Sequence, residues 1–152
     1  MSGYHSAQVD VPVRLNTNES PFPPPAAWLD AVADIARSIQ WNRYPDRAVT
    51  ELRETIARRH NVDPANIFVA NGSNEVMQQL LQLFGGPDKS LVAFDPTYSM
   101  YEDYCRNTFT KYLSVARNAD FTIDTSVIDS ALALNPDLIV LTSPNNPTGT
   151  II

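Results

Sequence analysis

Residues 138–149 read Leu-Ile-Val-Leu-Thr-Ser-Pro-Asn-Asn-Pro-Thr-Gly, an apolar run followed directly by a stiff polar loop. A continuous apolar run of this kind is typical of a strand that is buried on both faces of a parallel sheet. The prolines restrict the loop, Gly149 permits a tight turn, and the amides of Asn145 and Asn146 can donate to an oxygen anion. A rigid loop without a ligand is the alternative interpretation.

Short apolar runs alternate with helical patterns through much of the chain. The predicted strands are 67–70, 91–94, 111–115 and 138–141, and the predicted helices between them are 75–84, 99–107 and 126–134. This alternation predicts an α/β fold with three layers (αβα) around a mostly parallel sheet. The length of 152 residues suffices for one domain with a core.

The N-terminal part has a different pattern. Residues 1–25 are predicted to form an arm, because the proline-rich segment 20–25 cannot enter a helix interior or a central strand. An apolar stripe then predicts a helix at 26–39 with a connecting segment to residue 46, and Asp46 is the expected N-cap of a second helix at 47–60. The α/β domain is expected at 47–152.

Composition excludes several classes of function. The net charge of -6 argues against nucleic acid or an anionic membrane as a partner. No signal-peptide pattern opens the chain, and no apolar run approaches the ~20 residues that span a bilayer, so a soluble cytoplasmic protein is expected. Cys105 is the only cysteine. It is expected to be a small buried hydrophobe rather than a reactive thiol, and no metal site is predicted.

Two more loops that follow predicted strands carry unusual residues, and ligands of open α/β sheets bind outside the carboxyl ends of the strands. Gly72 allows a close backbone approach, and the amides of Ser73 and Asn74 at a helix N-terminus suit a phosphate, although an ordinary N-cap is the alternative. Tyr98 can lay its ring against a flat heterocycle, with a packed loop tyrosine as the alternative. Together with Asn146, these loops fit a flat, phosphorylated ring with an anionic oxygen, such as pyridoxal 5′-phosphate.

The sequence resembles the pyridoxal-phosphate aminotransferases of the aspartate aminotransferase fold, and most closely the histidinol-phosphate aminotransferases. The resemblance runs through five motifs at residues 15–21, 44–46, 72–75, 96–98 and 143–149. It implies that 47–152 is a partial cofactor-binding domain, an incomplete version of the aminotransferase large domain.

The resemblance also assigns roles to residues of the loops. It implies that the amides of Ser73 and Asn74, beside Gly72, hold the cofactor phosphate. Tyr98 would stack on the pyridine ring, and Asn146 would bond the phenolic oxygen of that ring.

Three residues of the N-terminal part receive roles in the same way. The resemblance implies that Tyr44 reaches the phosphate of the neighbouring subunit's cofactor, and hence that the protein is a homodimer with shared sites. Asn18 and Glu19 would border the substrate pocket.

The chain lacks a residue that transamination requires. The reaction needs a lysine that holds the aldehyde as a Schiff base and moves the substrate's α-proton. The only lysines are Lys89, in a turn, and Lys111, entering a strand, and neither follows a motif that resembles the family's lysine segment. The resemblance therefore implies the N-terminal portion, under half, of such an enzyme.

We expect this chain alone to be inactive and to bind pyridoxal phosphate weakly or not at all. We also expect it to self-associate through exposed apolar surface and an unpaired strand edge.

Three hypotheses of function follow. In the first, the full enzyme moves an amino group between L-histidinol phosphate and 2-oxoglutarate in histidine biosynthesis. In the second, the chain is a non-catalytic interaction module derived from the fold. In the third, it belongs to a threonine-phosphate decarboxylase-like enzyme.

Overall fold

The structure is a computed structural model that describes residues 9–14 and 16–152. The first eight residues of the expected arm, and Leu15 of the first motif, lie outside the described residues. The chain divides into two compact units, Met1–Thr55 and Ile56–Ile152. The boundaries expected from the sequence, after residues 25 and 46, stay predictions.

The first unit contains helix α1 (Ala26–Ser38), close to the predicted range. Pro25 stands directly before it, and its carbonyl accepts the amides of Trp28 and Leu29 at 3.0 and 3.1 Å. The apolar stripe of α1 is not a core, because no residue of the helix is buried, and Trp28 and Ile35 are 54% and 61% exposed.

Helix α2 (Thr50–His60) begins in the first unit and ends in the second. It starts three residues later than predicted, because Val49 has a left-handed φ of 49° that the helix cannot include. Asp46 still caps this end, since its carboxylate accepts the amides of Ala48 and Thr50 at 2.9 and 2.8 Å. These bonds hold the pKa of Asp46 below its usual value.

The second unit alternates helices and strands after a short 3-10 turn at Pro64–Asn66. Its elements are α3 (Gly72–Phe84), β1 (Ser90–Asp95), α4 (Met100–Asn107), β2 (Lys111–Ala116), α5 (Thr125–Leu132) and β3 (Leu138–Ile139). The sheet has the order β2-β1-β3, and both pairings are parallel. The predicted α/β fold with a parallel sheet is confirmed.

Strand β1 is the centre of the core. Its residues 91–94 are buried, and successive side chains face opposite sides of the sheet. Leu91 and Ala93 pack against α3 and α4, whereas Val92 and Phe94 pack against α5. Helices therefore cover both faces, which gives the three predicted layers. Cys105 of α4 is 1% exposed and belongs to this core, as predicted.

Two strand predictions are wrong. Residues 67–70 form no strand: the Ile67 amide bonds back to the Pro64 carbonyl, and no strand in the described part of the chain pairs with the segment. Strand β3 covers only two of the four predicted residues and is not buried on both faces, since Ile139 and Leu141 are 41% and 52% exposed. The reason is that β3 is an edge strand, while α5 packs over β1 and β2.

Candidate functional site

The first turn of α3 offers two backbone amides to a ligand. Gly72 has a φ of 81°, a conformation that glycine adopts without strain. Glu75 closes the loop by accepting the Asn71 amide at 2.6 Å, much as the acidic residue of a capping box does. Ser73 and Asn74 are exposed in the first turn, where a helix supplies no acceptor for their amides. An anion the size of phosphate would meet two donors at the positive end of the helix dipole.

Tyr98, in the loop after β1, is bonded to this phosphate-binding candidate. Its hydroxyl donates to the side-chain oxygen of Asn74 at 3.1 Å, and its ring meets Tyr101 edge-on with centroids 5.7 Å apart. The buried Tyr104 donates to the same Asn74 oxygen at 2.7 Å. Burial, followed by the neighbouring Tyr98, raises the pKa of Tyr104 to about 12, so its hydroxyl remains a donor at neutral pH. The sequence did not single out Tyr104 as a site residue, because the position of Tyr104 in the helical pattern indicates only a core residue.

The loop after β3 is built around Asn145, which is 3% exposed. Its side-chain nitrogen donates to the Pro96 carbonyl at 3.0 Å and to the Thr148 hydroxyl at 2.8 Å, and its oxygen accepts the Thr97 hydroxyl at 2.9 Å. The expectation that Asn145 presents its amide to an anion is therefore wrong, because protein groups already use that amide. Asn146 is exposed beside it and remains the predicted donor.

A buried arginine supports the same end of the sheet. Arg117, directly after β2, donates from Nε to the Phe94 carbonyl at 2.9 Å, and from one terminal nitrogen to the Phe121 carbonyl at 3.2 Å and the Thr150 hydroxyl at 3.4 Å. Burial lowers the pKa of Arg117, and the nearby Asp95 opposes that effect. The guanidinium thus joins the end of β1 to the chain that follows residues 143–149. No sequence signal singled it out.

The remaining predicted site residues lie in the first unit. Tyr44 is 99% exposed, and Asn18 is exposed with a left-handed φ of 53°. Glu19 forms an exposed ion pair with Arg14 at 3.6 Å. Their roles toward a cofactor or substrate stay predictions.

Both lysines lie at the opposite end of the sheet from these loops. Lys89 stands directly before β1 and pairs with Asp137 at 2.8 Å, and Asp137 also accepts the Ser90 amide at 2.9 Å. Lys111 is the first residue of β2 and is exposed. A strand of six residues is about 16 Å long, which exceeds the reach of a lysine side chain. Neither lysine can serve the loops at the carboxyl ends.

The arrangement suits a ligand with a phosphate, a flat ring and an oxygen acceptor. Residues from the first turn of α3 and from two loops converge: Asn74 bonds Tyr98, and Asn145 bonds the segment that carries Tyr98. No helix in the described ranges 9–14 and 16–152 is long and apolar enough to cross a membrane.

Solved structures of larger proteins share this fold, as two examples show. Histidinol-phosphate aminotransferase from Sinorhizobium meliloti, solved in complex with pyridoxal-5′-phosphate, has a TM-score of 0.76 and 24% identity, over 86% of this chain and 35% of that one. L-threonine-O-3-phosphate decarboxylase from Porphyromonas gingivalis has a TM-score of 0.66 and 29% identity, over 84% of this chain and 38% of that one. The chain therefore has the fold of part of these larger proteins, as expected.

Curated protein sequences are also similar to this chain. Histidinol-phosphate aminotransferase 3 of Burkholderia lata is 49% identical over 98% of this chain and 43% of its own length. The chain spans about two-fifths of the length of the curated relatives it matches. Residues 10–152, nearly the whole chain, match the family described as aminotransferase class I and II. The chain therefore belongs to the aminotransferase class I and II family.

Proposed function

We propose that this chain is the part of a cytoplasmic histidinol-phosphate aminotransferase-like enzyme that binds the ring and phosphate of pyridoxal 5′-phosphate. The observation that carries the proposal is that two hydrogen bonds, Tyr98–Asn74 and Thr97–Asn145, join the first turn of α3 to the loops after β1 and β3. The name of the Burkholderia lata relative and the ligand of the Sinorhizobium meliloti structure support it.

The donors present fit this cofactor. The amides of Ser73 and Asn74 would bind its phosphate, Tyr98 would cover one face of its ring and exclude water there, and Asn146 would donate to its phenolic oxygen. When bound, the cofactor supplies the electron sink that amino transfer requires. These groups would hold and orient the cofactor, and none of them would move the substrate's α-proton.

The lysine that holds the aldehyde must come from outside these 152 residues, because Lys89 and Lys111 lie at the far end of the sheet. We therefore propose that the chain alone does not transfer amino groups. Borohydride reduction of the chain mixed with pyridoxal phosphate should give no site-specific label at either lysine. Stoichiometric labelling of one of them would refute this point.

The experiment that tests the function has two steps. Pyridoxal phosphate is first titrated into the chain and followed by its absorbance, with inorganic phosphate as competitor. The chain is then mixed with the segment of the Burkholderia lata relative that follows the matched region, and amino transfer from L-histidinol phosphate to 2-oxoglutarate is assayed. Cofactor binding with restored transfer supports the proposal. Absence of both, in a folded mixture, favours a non-catalytic interaction module.

A second candidate is decarboxylation of threonine phosphate. The observation that favours it is the similarity to the Porphyromonas gingivalis decarboxylase, at 29% identity. Both candidates use a phosphorylated substrate and the same cofactor sites on this chain. Assaying the mixture with L-threonine phosphate, and measuring carbon dioxide, separates them.

We also propose that the chain associates with a second copy of itself. Apolar side chains of α1 and of the residue directly after it support this, because Trp28, Ile35 and Ile39 are 54%, 61% and 46% exposed. The exposed Tyr44 is the residue that the family resemblance assigns to a neighbouring subunit's cofactor. Size-exclusion chromatography with light scattering should show a dimer or larger species, and a stable monomer at micromolar concentration would exclude the proposal.

A further inference from the structure

Asn145 joins two loops that are distant in sequence. Its carboxamide bonds Thr97 and the Pro96 carbonyl, which lie 48 and 49 residues earlier in the chain. At 3% exposure, Asn145 is one of three buried polar or charged side chains in the described part of the molecule, with Thr110 and Arg117. Water therefore cannot replace the hydrogen bonds that Asn145 makes, and losing one leaves a buried polar group unpaired.

The chemistry of these contacts requires a carboxamide. The Pro96 carbonyl can only accept, so the side-chain nitrogen of Asn145 must face it, and the oxygen must then face the Thr97 hydroxyl. An aspartate of the same shape would have no donor for the Pro96 carbonyl. The backbone of Asn145 is also engaged: its amide donates to Thr150 at 2.8 Å and its carbonyl accepts the Gly149 amide at 2.7 Å.

The two residues expected to contact the ring are immediate chain neighbours of this bonded pair. Tyr98 follows Thr97, and Asn146 follows Asn145. Tyr98 is held at its other end by Asn74. The Thr97–Asn145 bond thus connects the loop that carries Tyr98 directly to the loop that carries Asn146.

We propose that Asn145, acting with Thr97, is a positioning residue that fixes Tyr98 relative to Asn146 and so aligns the ring of the cofactor. Neither residue touches the ligand in this role. The choice of ligand rests on the proposed function, whereas the mechanical coupling of the two loops does not.

The coupling is tested without any ligand by hydrogen exchange and mass spectrometry of the chain. Thr97→Val keeps the shape of the side chain and removes the hydroxyl. We expect amides in 143–150 to exchange at least fivefold faster in this variant, although the substitution lies in the other loop. Thr97→Ser, which restores the hydroxyl, should return the exchange to that of the original chain.

The matched control is Thr125→Val, at an exposed position at the start of α5. Unchanged exchange of 143–150 in Thr97→Val would overturn the coupling.

The positioning role is tested by comparing two ligands. Thr97→Val should weaken pyridoxal phosphate about tenfold but inorganic phosphate less than twofold, because only the ring depends on the alignment. Equal weakening of both ligands, or of neither, would overturn the role. If the original chain binds phosphate but not pyridoxal phosphate, even when mixed with the segment of the Burkholderia lata relative, the proposed function fails, and the exchange experiment still decides the coupling.

A folding defect is distinguished by circular dichroism and by the urea midpoint. Thr97→Ala is the second variant, since it adds no methyl group that could clash, and it carries the same expectations. If neither variant folds, the pair is a general requirement of folding and the specific positioning role is refuted.

Discussion

The hydroxyl of Tyr98 donates a 3.1 Å hydrogen bond to the side-chain oxygen of Asn74. Tyr98 lies in the loop after β1, and Asn74 lies in the first turn of α3. The side chain that would cover the ring is therefore attached to a residue whose amide would hold the phosphate. This bond couples the two halves of the proposed cofactor site.

The first prediction concerns Tyr98. Tyr98→Phe removes the bond to Asn74 but keeps the ring, so the Kd for pyridoxal phosphate should rise about twofold to about twelvefold, as the loss of ~0.5–1.5 kcal/mol implies. Tyr98→Ala also removes the stacking, which is worth about 1–3 kcal/mol for a base on an aromatic ring, and should weaken binding further. Absorbance titration measures both constants. Unchanged binding in Tyr98→Ala would show that the ring lies elsewhere.

The second prediction concerns the buried Tyr104. Tyr104→Phe removes its 2.7 Å bond to Asn74 and should lower the free energy of unfolding by about 1 kcal/mol at pH 8. The exposed Tyr44→Phe is the control and should change it by less than about 0.5 kcal/mol. Urea unfolding followed by circular dichroism provides the comparison.

The pH dependence of Tyr104 gives a third prediction. Its pKa in the folded chain is raised from the ordinary 10 to about 12, mainly by burial. The unfolded chain therefore loses this proton first as the pH rises. The resulting stabilisation is fully present below pH 10 and is lost as the pH rises through about 12. Urea unfolding at pH 9, 10 and 11 should show a steeper loss of stability in the original chain than in Tyr104→Phe, and parallel curves would contradict this.

The fourth prediction concerns Arg117. Arg117→Lys retains the charge but cannot reach the Phe94 and Phe121 carbonyls and the Thr150 hydroxyl with the same planar group. The variant should lose about 1–3 kcal/mol of unfolding free energy, because buried acceptors are left unpaired. Arg106→Lys, at an exposed ion pair with Asp103, is the matched control and should lose less than about 1 kcal/mol. Similar losses in both variants would contradict the assigned role of Arg117.

The fifth prediction concerns the thiol of Cys105. Burial raises the pKa of Cys105 from 9.0 to about 11, and the residue is 1% exposed. Two pKa units lower the thiolate fraction at pH 8 by about a hundredfold, and steric exclusion lowers the rate further. A disulfide reagent such as DTNB should therefore react at least that much more slowly with the folded chain than with the urea-unfolded chain. Rapid reaction of the folded chain would show that Cys105 is accessible.

The residue pattern predicted most elements because their signals are local. Helices α1, α3, α4 and α5 and strands β1 and β2 lie within a few residues of the predicted ranges. The elements that differ from the prediction depend on pairing with distant residues or on an unusual backbone conformation. Residues 67–70 have strand composition but no paired neighbour among the described residues, and a strand exists only through pairing. The late start of α2 depends on the left-handed φ of Val49, which a β-branched residue rarely adopts.

The sequence by itself determined the order of the elements and which loops carry Gly72, Tyr98 and Asn146, because hydrophobic periodicity and turn residues act over a few positions. Only the tertiary structure decided that Asn145 holds two loops together while Asn146 beside it stays exposed. It also decided that Lys89 lies at the far end of the sheet, paired with Asp137. The physical reason is that Asp137, the partner of Lys89, and the partners of Asn145 in the other loop are 48 or 49 residues away. Adjacent asparagines are alike until folding buries one of them.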